Sequence, residues 1–242
     1  NEQTRIVESI ETVESFHNQH QSSFAELQFG MNDTPWADRV DFATGISQRF
    51  DDIQHGARVA ERPTGEVERD NDSFYQSVKY EKMLGNRLLL KYFGNYVITN
   101  DGVSDSTRNL YNWSGEIETG EIRADGTELL GDPSLREGRT FATVHRIVGE
   151  YSFAKNYGLS VSNFHAFQRI KGNDPVAERV PLENPMTDPN TLPSELRRNI
   201  LAAQLNGAWF DKKLETLIFG KYYSYSNSSS DFDQSGGTVI FD

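Results

Sequence analysis

Cysteine is absent from all 242 residues, which excludes disulfides and thiolate metal sites. Long apolar runs are missing too. No stretch of ~18 apolar residues exists, so nothing reads as a transmembrane helix. That absence does not exclude a membrane, because barrel strands alternate apolar and polar residues and keep the mean hydropathy low. Here it is -0.64. Positive charge is in deficit: 24 Lys and Arg stand against 36 Asp and Glu, a net charge of -12. Nucleic-acid phosphates call for a basic face, so a nucleic-acid partner is not expected. Solubility and charge repulsion account for the acidity otherwise.

Enzyme signatures are lacking as well. No G-x-S-x-G nucleophile turn occurs. The Gly-rich "GGTVI" (Gly236 to Ile240) has no phosphate-loop lysine. The expectation is a non-enzyme without a cofactor. No signal peptide opens the chain at Asn1, and "GGTVIFD" at Gly236 to Asp242 reads as a strand cut short. A processed chain or a fragment is therefore expected.

What is present is alternation at the strand period. In "RVDFATGISQRF" (Arg39 to Phe50), Val40, Phe42, Thr44, Ile46 and Phe50 share one face, and Arg39, Asp41 and Arg49 the other. In "RLLLKYFGNYVI" (Arg87 to Ile98), Leu88, Leu90, Tyr92, Gly94, Tyr96 and Ile98 oppose Lys91 and Asn95. Leu201, Leu205, Gly207 and Trp209 share a face in Asn199 to Phe210, and Ala25, Leu27, Phe29 and Met31 share one in Ser23 to Met31. Thr140 to Phe153 is ambiguous. So is the arm after Lys213, where Leu217, Phe219, Lys221, Tyr223 and Tyr225 share one face and Leu214, Ile218 and Tyr222 the other.

The connections carry more information. Asn32 to Asp38, Leu84 to Asn86, Ala154 to Tyr157 and Asp211 to Lys213 are short. Asp51 to Asp72, Thr99 to Arg139 and Lys171 to Arg198 are long. Short and long alternate along the chain. This predicts an all-β, antiparallel up-and-down set of transmembrane barrel strands, with short periplasmic turns and long extracellular loops. Strand length agrees, because a tilted membrane strand needs ~9–11 residues against ~5–6 for an ordinary soluble one. About eight strands of that kind are read, by the same length standard. A ninth is placed at Thr4 to Phe16, where the alternating Glu also fits an amphipathic helix. Tyr and Trp settle at membrane–water interfaces. Tyr222, Tyr223 and Tyr225 are therefore expected at the upper girdle, and Trp209 and Phe210 at the periplasmic one. Lys91 is expected to face the lumen and Leu90 the lipid.

Candidate sites are few. His17 and His20 in "FHNQHQ" have the spacing of a helical metal pair, but no further His or Cys lies close by, and no metal site is assigned. His55 stands alone. His145 and His165 are expected to meet across a hairpin, where cross-strand packing accounts for them. "DGVSDS" (Asp101 to Ser106) and "DFDQSGG" (Asp231 to Gly237) have the composition of acidic Ca²⁺ loops without the full spacing and closing Glu. Tyr111 and Trp113 in "NLYNWSG" are the candidate ligand-gripping residues, since rigid aromatics make good contacts. Loop packing accounts for them equally well.

"HQSSFAELQFGMNDTPWADRVDFATGISQRFDDIQHGARV" (His20 to Val59) resembles the barrel portion of TonB-dependent outer-membrane receptors of the Bacteroidetes type. "PTGE" (Pro63 to Glu66), "NLYNWSG" (Asn109 to Gly115), "FQRIKGNDP" (Phe167 to Pro175) and "KLETLIFGKYY" (Lys213 to Tyr223) resemble the same group, and "DIQHG" is the most distinctive piece. The resemblance implies a plugged barrel in the outer membrane of a Gram-negative bacterium. Such receptors import scarce nutrients with energy passed through TonB. It also implies partners: outer-membrane lipid, the plug and remaining strands, TonB, a surface lipoprotein and a nutrient ligand. No plug and no TonB box are found, so residues 1–242 read as one segment of such a barrel. The alternatives are a self-contained eight-stranded barrel acting as adhesin or anchor, a soluble β-rich carbohydrate-binding module, and a barrel enzyme such as a lipase.

Overall fold

A computed structural model describes residues 14–54, 63–122, 127–128, 133–176, 194–210, 213–228 and 232–241. They contain no helix. Nine long strands make one sheet: β1 (His20–Thr34), β2 (Ala37–Asp52), β3 (Glu68–Leu84), β4 (Leu88–Asp105), β7 (Ser134–Ala154), β8 (Tyr157–Asn173), β9 (Ser194–Trp209), β10 (Leu214–Asn227) and β11 (Phe232–Phe241). A two-stranded hairpin, β5 (Asn109–Tyr111) and β6 (Ile117–Ile122), sits in the β4–β7 connection. Each long strand pairs antiparallel with the next, so the sheet is an up-and-down meander. It is open, with β1 and β11 as its edges.

The all-β, antiparallel, up-and-down expectation is met, with two differences in where strands lie. The ninth strand is Phe232–Phe241, at the segment read as a truncated strand. Of Thr4 to Phe16, residues 4–13 lie outside the described residues, and Glu14 to Phe16 carry no strand. The segment read as a loop from Thr99 to Arg139 also begins and ends as strand. Thr99 pairs with Thr140, and the ladder continues to Asp105 opposite Ser134. Backbone pairing does not need apolar side chains, so this polar extension has no hydrophobic period to betray it.

Turn chemistry sets the short end. Thr34 Oγ1 donates to the Ala37 carbonyl and accepts from the Ala37 amide at 2.9 and 3.0 Å, closing the turn over Pro35 and Trp36. Gly85 has φ of 60° in the β3–β4 turn, a left-handed conformation that glycine adopts without steric cost. At the other end the β2–β3 connection is pinched by Ile53 N to Val67 O and Thr64 N to Gln54 O, both 2.9 Å.

The sheet has no second layer among the described residues. Its buried hydrophobics are Ala37, Val67, Leu110 and Tyr111, all near strand ends or in loops. Leu27, Ile46 and Ile147 in mid-strand are 62%, 55% and 55% exposed. Domains normally bury the apolar face of a sheet against another layer. Here that face is open.

Candidate functional site

Register and the two-residue period assign every strand side chain to one of two faces. One face is apolar along a band. It runs from Ala25 to Met31 in β1, Val40 to Ile46 in β2, Phe74 to Tyr80 in β3 and Leu88 to Ile98 in β4. It continues from Phe141 to Tyr151 in β7, Tyr157 to Phe167 in β8, Leu201 to Trp209 in β9 and Leu214 to Tyr222 in β10. Within it no Asp, Glu, Lys or Arg occupies this face. The β4, β7 and β8 spans match the ~9–11 residues that a tilted strand needs to cross hydrocarbon.

Aromatic rings border the band. On the loop side Phe74, Tyr96, Phe141 and Phe167 form an edge-on chain, with centroids 6.3, 5.2 and 5.9 Å apart. On the turn side Tyr151, Phe153, Tyr157 and Trp209 form a second chain, at 6.5, 5.9 and 4.7 Å. From Phe141 to Tyr151 is ~34 Å along the strand, or ~26 Å along a normal tilted by ~40°. Charges on this face begin outside both borders. Lys82, directly opposite Leu90, lies past the end of the β3 span, and its Nζ donates to Asp38 at 3.0 Å. Arg169 and Arg197 hold Glu195 at 2.7 and 2.9 Å beyond the loop side.

The opposite face at the same depth is mixed: charged and polar side chains alternate with apolar ones such as Leu89, Phe93, Val144, Val148, Phe164 and Phe219. Lys91 Nζ donates to Glu150 at 2.9 Å, and Arg39 Nε to Asp41 at 2.7 Å. Lys79, Arg146 and Lys221 lie on this face too. Leu90 and Lys91 thus occupy the apolar and polar faces. On β10 the sequence groups Tyr222, Tyr223 and Tyr225 at one interface, but the register divides them. Tyr222, opposite Leu201, is apolar-facing; Tyr223 and Tyr225, opposite Ile200 and Arg198, are on the polar face. With Arg198, Lys221 and Gln234 they line an open groove of about 620 Å³. Sequence reasoning missed this groove. Its one signal was Lys221 amid the aromatic parity, which marks the non-apolar face.

The loops gather into a small knot beyond the sheet. The Tyr111 ring packs on Phe16 with centroids 6.0 Å apart and covers Gly65, where a Cβ would come within 2.6 Å of the ring. Its hydroxyl donates to the Glu66 carboxylate, which also accepts from Asn109 Nδ2 at 2.7 Å. The Glu128 carboxylate accepts from the Gly65 and Glu66 amides at 2.8 Å each. Asp105 accepts from the Thr127 hydroxyl at 2.7 Å and the Glu128 amide at 3.1 Å. Burial, and then the Glu66 carboxylate, push the Tyr111 hydroxyl up to about 12. Of the two candidate ligand-gripping residues, Tyr111 is buried inside this knot and Trp113 is half-buried beside it.

The remaining candidates resolve as follows. His17 Nε2 lies 2.8 Å from the Val67 carbonyl, and His20 bonds Asp51, so the two rings serve different partners and sit on no helix. His55 lies outside the described residues. His145 and His165 are direct cross-strand partners, as expected, and Tyr92 Oη forms a 2.8 Å hydrogen bond with His145 Nδ1. Asn163 Nδ2 donates to Asn199 Oδ1 at 2.9 Å, so these polar groups of the apolar face bond within it. Asp101 to Asp105 and Phe232 to Gly237 are strand, not cation-binding loop; Asp231 lies outside the described residues. Among the described residues no cluster of three metal-ligating side chains occurs. No protein-family model matches the chain, and no curated protein matches it significantly.

Proposed function

We propose that the sheet is a section of the wall of an outer-membrane β-barrel, apolar face to lipid and polar face to the lumen. The barrel is an active receptor that captures a nutrient at its loop end and imports it with TonB-supplied energy. One observation carries the wall reading: a charge-free apolar band on one face, bordered by two aromatic chains, with the first charges beyond each. Girdles of aromatic residues at both borders of a lipid-facing band are a mark of such barrels. An unlayered sheet in water would expose this band, far more apolar surface than soluble monomers tolerate. The receptor assignment rests on the sequence resemblance, which supplies TonB, plug and lipoprotein as partners. The reading is non-enzymatic and calls for no cofactor.

Among the described residues, nine strands in antiparallel succession leave β1 and β11 running the same way. They cannot join antiparallel, and bacterial single-chain barrels have even strand numbers. A second copy does not help, because membrane orientation sets β11 beside a parallel β1. An odd number of further strands closes the wall.

Site-directed labelling of the native envelope protein tests the wall. A spin label at Leu90 is expected to meet oxygen dissolved in lipid, and one at Lys91 a water-soluble nickel chelate. Water contact at both positions refutes the wall. The receptor reading is tested separately by the intact mass of the native polypeptide. A product several times heavier, with sequence on both sides, supports it; a product matching these residues sinks it.

A further inference from the structure

The apolar face changes character just past its loop-side aromatic border, and it does so unevenly. Over β3 the first charged side chains on this face are Asp72 and Asp70. Over β7 to β9 they are Arg139, Lys171, Arg169 and Arg197, with Glu195 and Glu137 among them. On a chain of net charge -12 this local excess of cations stands out. Arg169 and Arg197 share the single Glu195 carboxylate, and each guanidinium carbon lies 5.6 Å from the centroid of Phe167. Arg139 and Lys171 are direct cross-strand partners, both exposed. Neither makes an ion pair with a described residue. Glu137 lies opposite Asn173, one same-face step along from them. Like charges directly opposite each other destabilise a sheet unless an anion lies between them.

We propose that Arg139, Lys171, Arg169 and Arg197 form a binding site for the phosphate groups of an outer-leaflet lipid headgroup. The proposal rests on the barrel-wall reading above. Phe141 and Phe167, the loop-side aromatic border of β7 and β8, set the depth at which headgroups lie. Arg139, one same-face step beyond Phe141, and Lys171, two beyond Phe167, offer two cations to one anion, and the planar guanidinium of Arg139 suits phosphate oxygens. Arg169 and Arg197 flank the site, already oriented by Glu195 and by their stacking on Phe167. Cations beside a membrane surface attract anionic headgroups strongly enough for each to count.

The test is native mass spectrometry of the full envelope polypeptide in a neutral detergent, titrated with bisphosphorylated lipid A and with its dephosphorylated form. Wild-type protein is expected to prefer the phosphorylated lipid. Arg139→Gln with Lys171→Gln is expected to weaken that binding ~25-fold, about fivefold per cation removed. Arg139→Lys with Lys171→Arg, which keeps both charges, is expected to retain most of it and controls for folding. Lipid binding indifferent to phosphate and to the Gln variants overturns the site and leaves the wall standing. Equal saturation by inorganic phosphate at matched concentration overturns the lipid assignment. Protein that stays in solution without detergent and takes up neither lipid overturns both site and wall.

Discussion

A charge placed in mid-band is the severest test of which way the sheet faces. Ile147 on β7 is 55% exposed and lies midway between the border residues Phe141 and Tyr151. Its same-row neighbours are Tyr92 and Asn163, neither of them anionic. On the proposed wall reading, Ile147→Arg puts a guanidinium in hydrocarbon with no counter-ion. Such a substitution at a barrel midplane costs ~2–4 kcal/mol, a ~30- to 800-fold loss in the folding equilibrium. Ser160→Arg, at similar depth on β8, points to the other face and stands opposite Glu150. Its expected effect is within ~0.5 kcal/mol of zero, with a slight gain if the new cation pairs with that carboxylate. Tyr151→Arg, at the turn-side border, is expected to fall between them at ~0–1 kcal/mol. The assay is reversible denaturant titration of the native polypeptide in phosphatidylcholine vesicles, followed by tryptophan fluorescence. The ordering Ile147 above Tyr151 above Ser160 supports the facing. Equal small costs at Ile147 and Ser160 refute it, because both faces would then meet water. A larger cost at Ser160 would turn the wall inside out.

Two further outcomes probe packing at the two ends. A Cβ on Gly207 would come within 2.9 Å of Tyr157 Cδ1 and 3.2 Å of Trp209 Nε1. Gly207→Ala is expected to displace the turn-side aromatic chain and cost ~1–3 kcal/mol in the same titration, with a shift in tryptophan emission. An unchanged spectrum and midpoint would show that the rings do not rest on this glycine. In the loop knot, the Tyr111 hydroxyl is pushed up to about 12, above its ordinary value of 10.0, by burial and Glu66. An acid whose folded value is raised adds stability below pH ~10 and loses it as pH rises toward ~12, because the unfolded chain releases its proton first. Proteolysis within the β4–β7 connection is therefore expected to accelerate across that window in wild type, and less so in Tyr111→Phe. Equal acceleration in both would remove Tyr111 from the knot.

The strands were legible where burial was one-sided. Leu201 to Trp209 alternates cleanly, with Gln204 and Asn206 on its other face, and Leu88 to Ile98 is read through Lys91 and Asn95, although Leu89, Phe93 and Val97 share their face; the register follows both parities. Thr140 to Phe153 was not legible, since Val144 and Val148 on the polar face mimic the apolar partners Ile147 and Phe141. Only pairing with an unambiguous neighbour, β4, sets its facing. The Tyr222 to Tyr225 cluster misled for a related reason: composition groups the rings, while the two-residue period separates them. The loop knot was beyond reach. Glu66 and Tyr111 are 45 residues apart in sequence, and no local pattern announces a hydrogen bond across that separation. The cation rim was hidden likewise, because Arg139 and Lys171 meet only through the β7–β8 register.

The slope of the band across the sheet carries the facing argument one step further. Hydrogen-bonded rows run perpendicular to strands, so a band that follows a row belongs to upright strands and one that crosses rows belongs to tilted ones. The row Leu88, Tyr151, Leu159, Leu205, Ile218 starts at the turn-side border of β4. By β10 the border has moved down to Leu214, four residues below Ile218 on that strand. Four residues are ~14 Å along a strand, against ~19 Å for four strand spacings, which gives a tilt of ~35°. The loop-side border is level from β1 to β7, where Ala25, Ile46, Phe74, Ile98 and Phe141 share one row, and slopes the same way only beyond β7, where the row from Phe141 passes through Arg169 to Glu195, already outside the band. Closure of a sheet into a barrel demands tilts of ~35–45°. Nothing in the pairing of nine strands requires the apolar residues to drift by this amount. On the proposed wall reading, a flat slab of hydrocarbon crossing tilted strands accounts for the drift from β7 to β10, because it marks each strand at one height and each row at many.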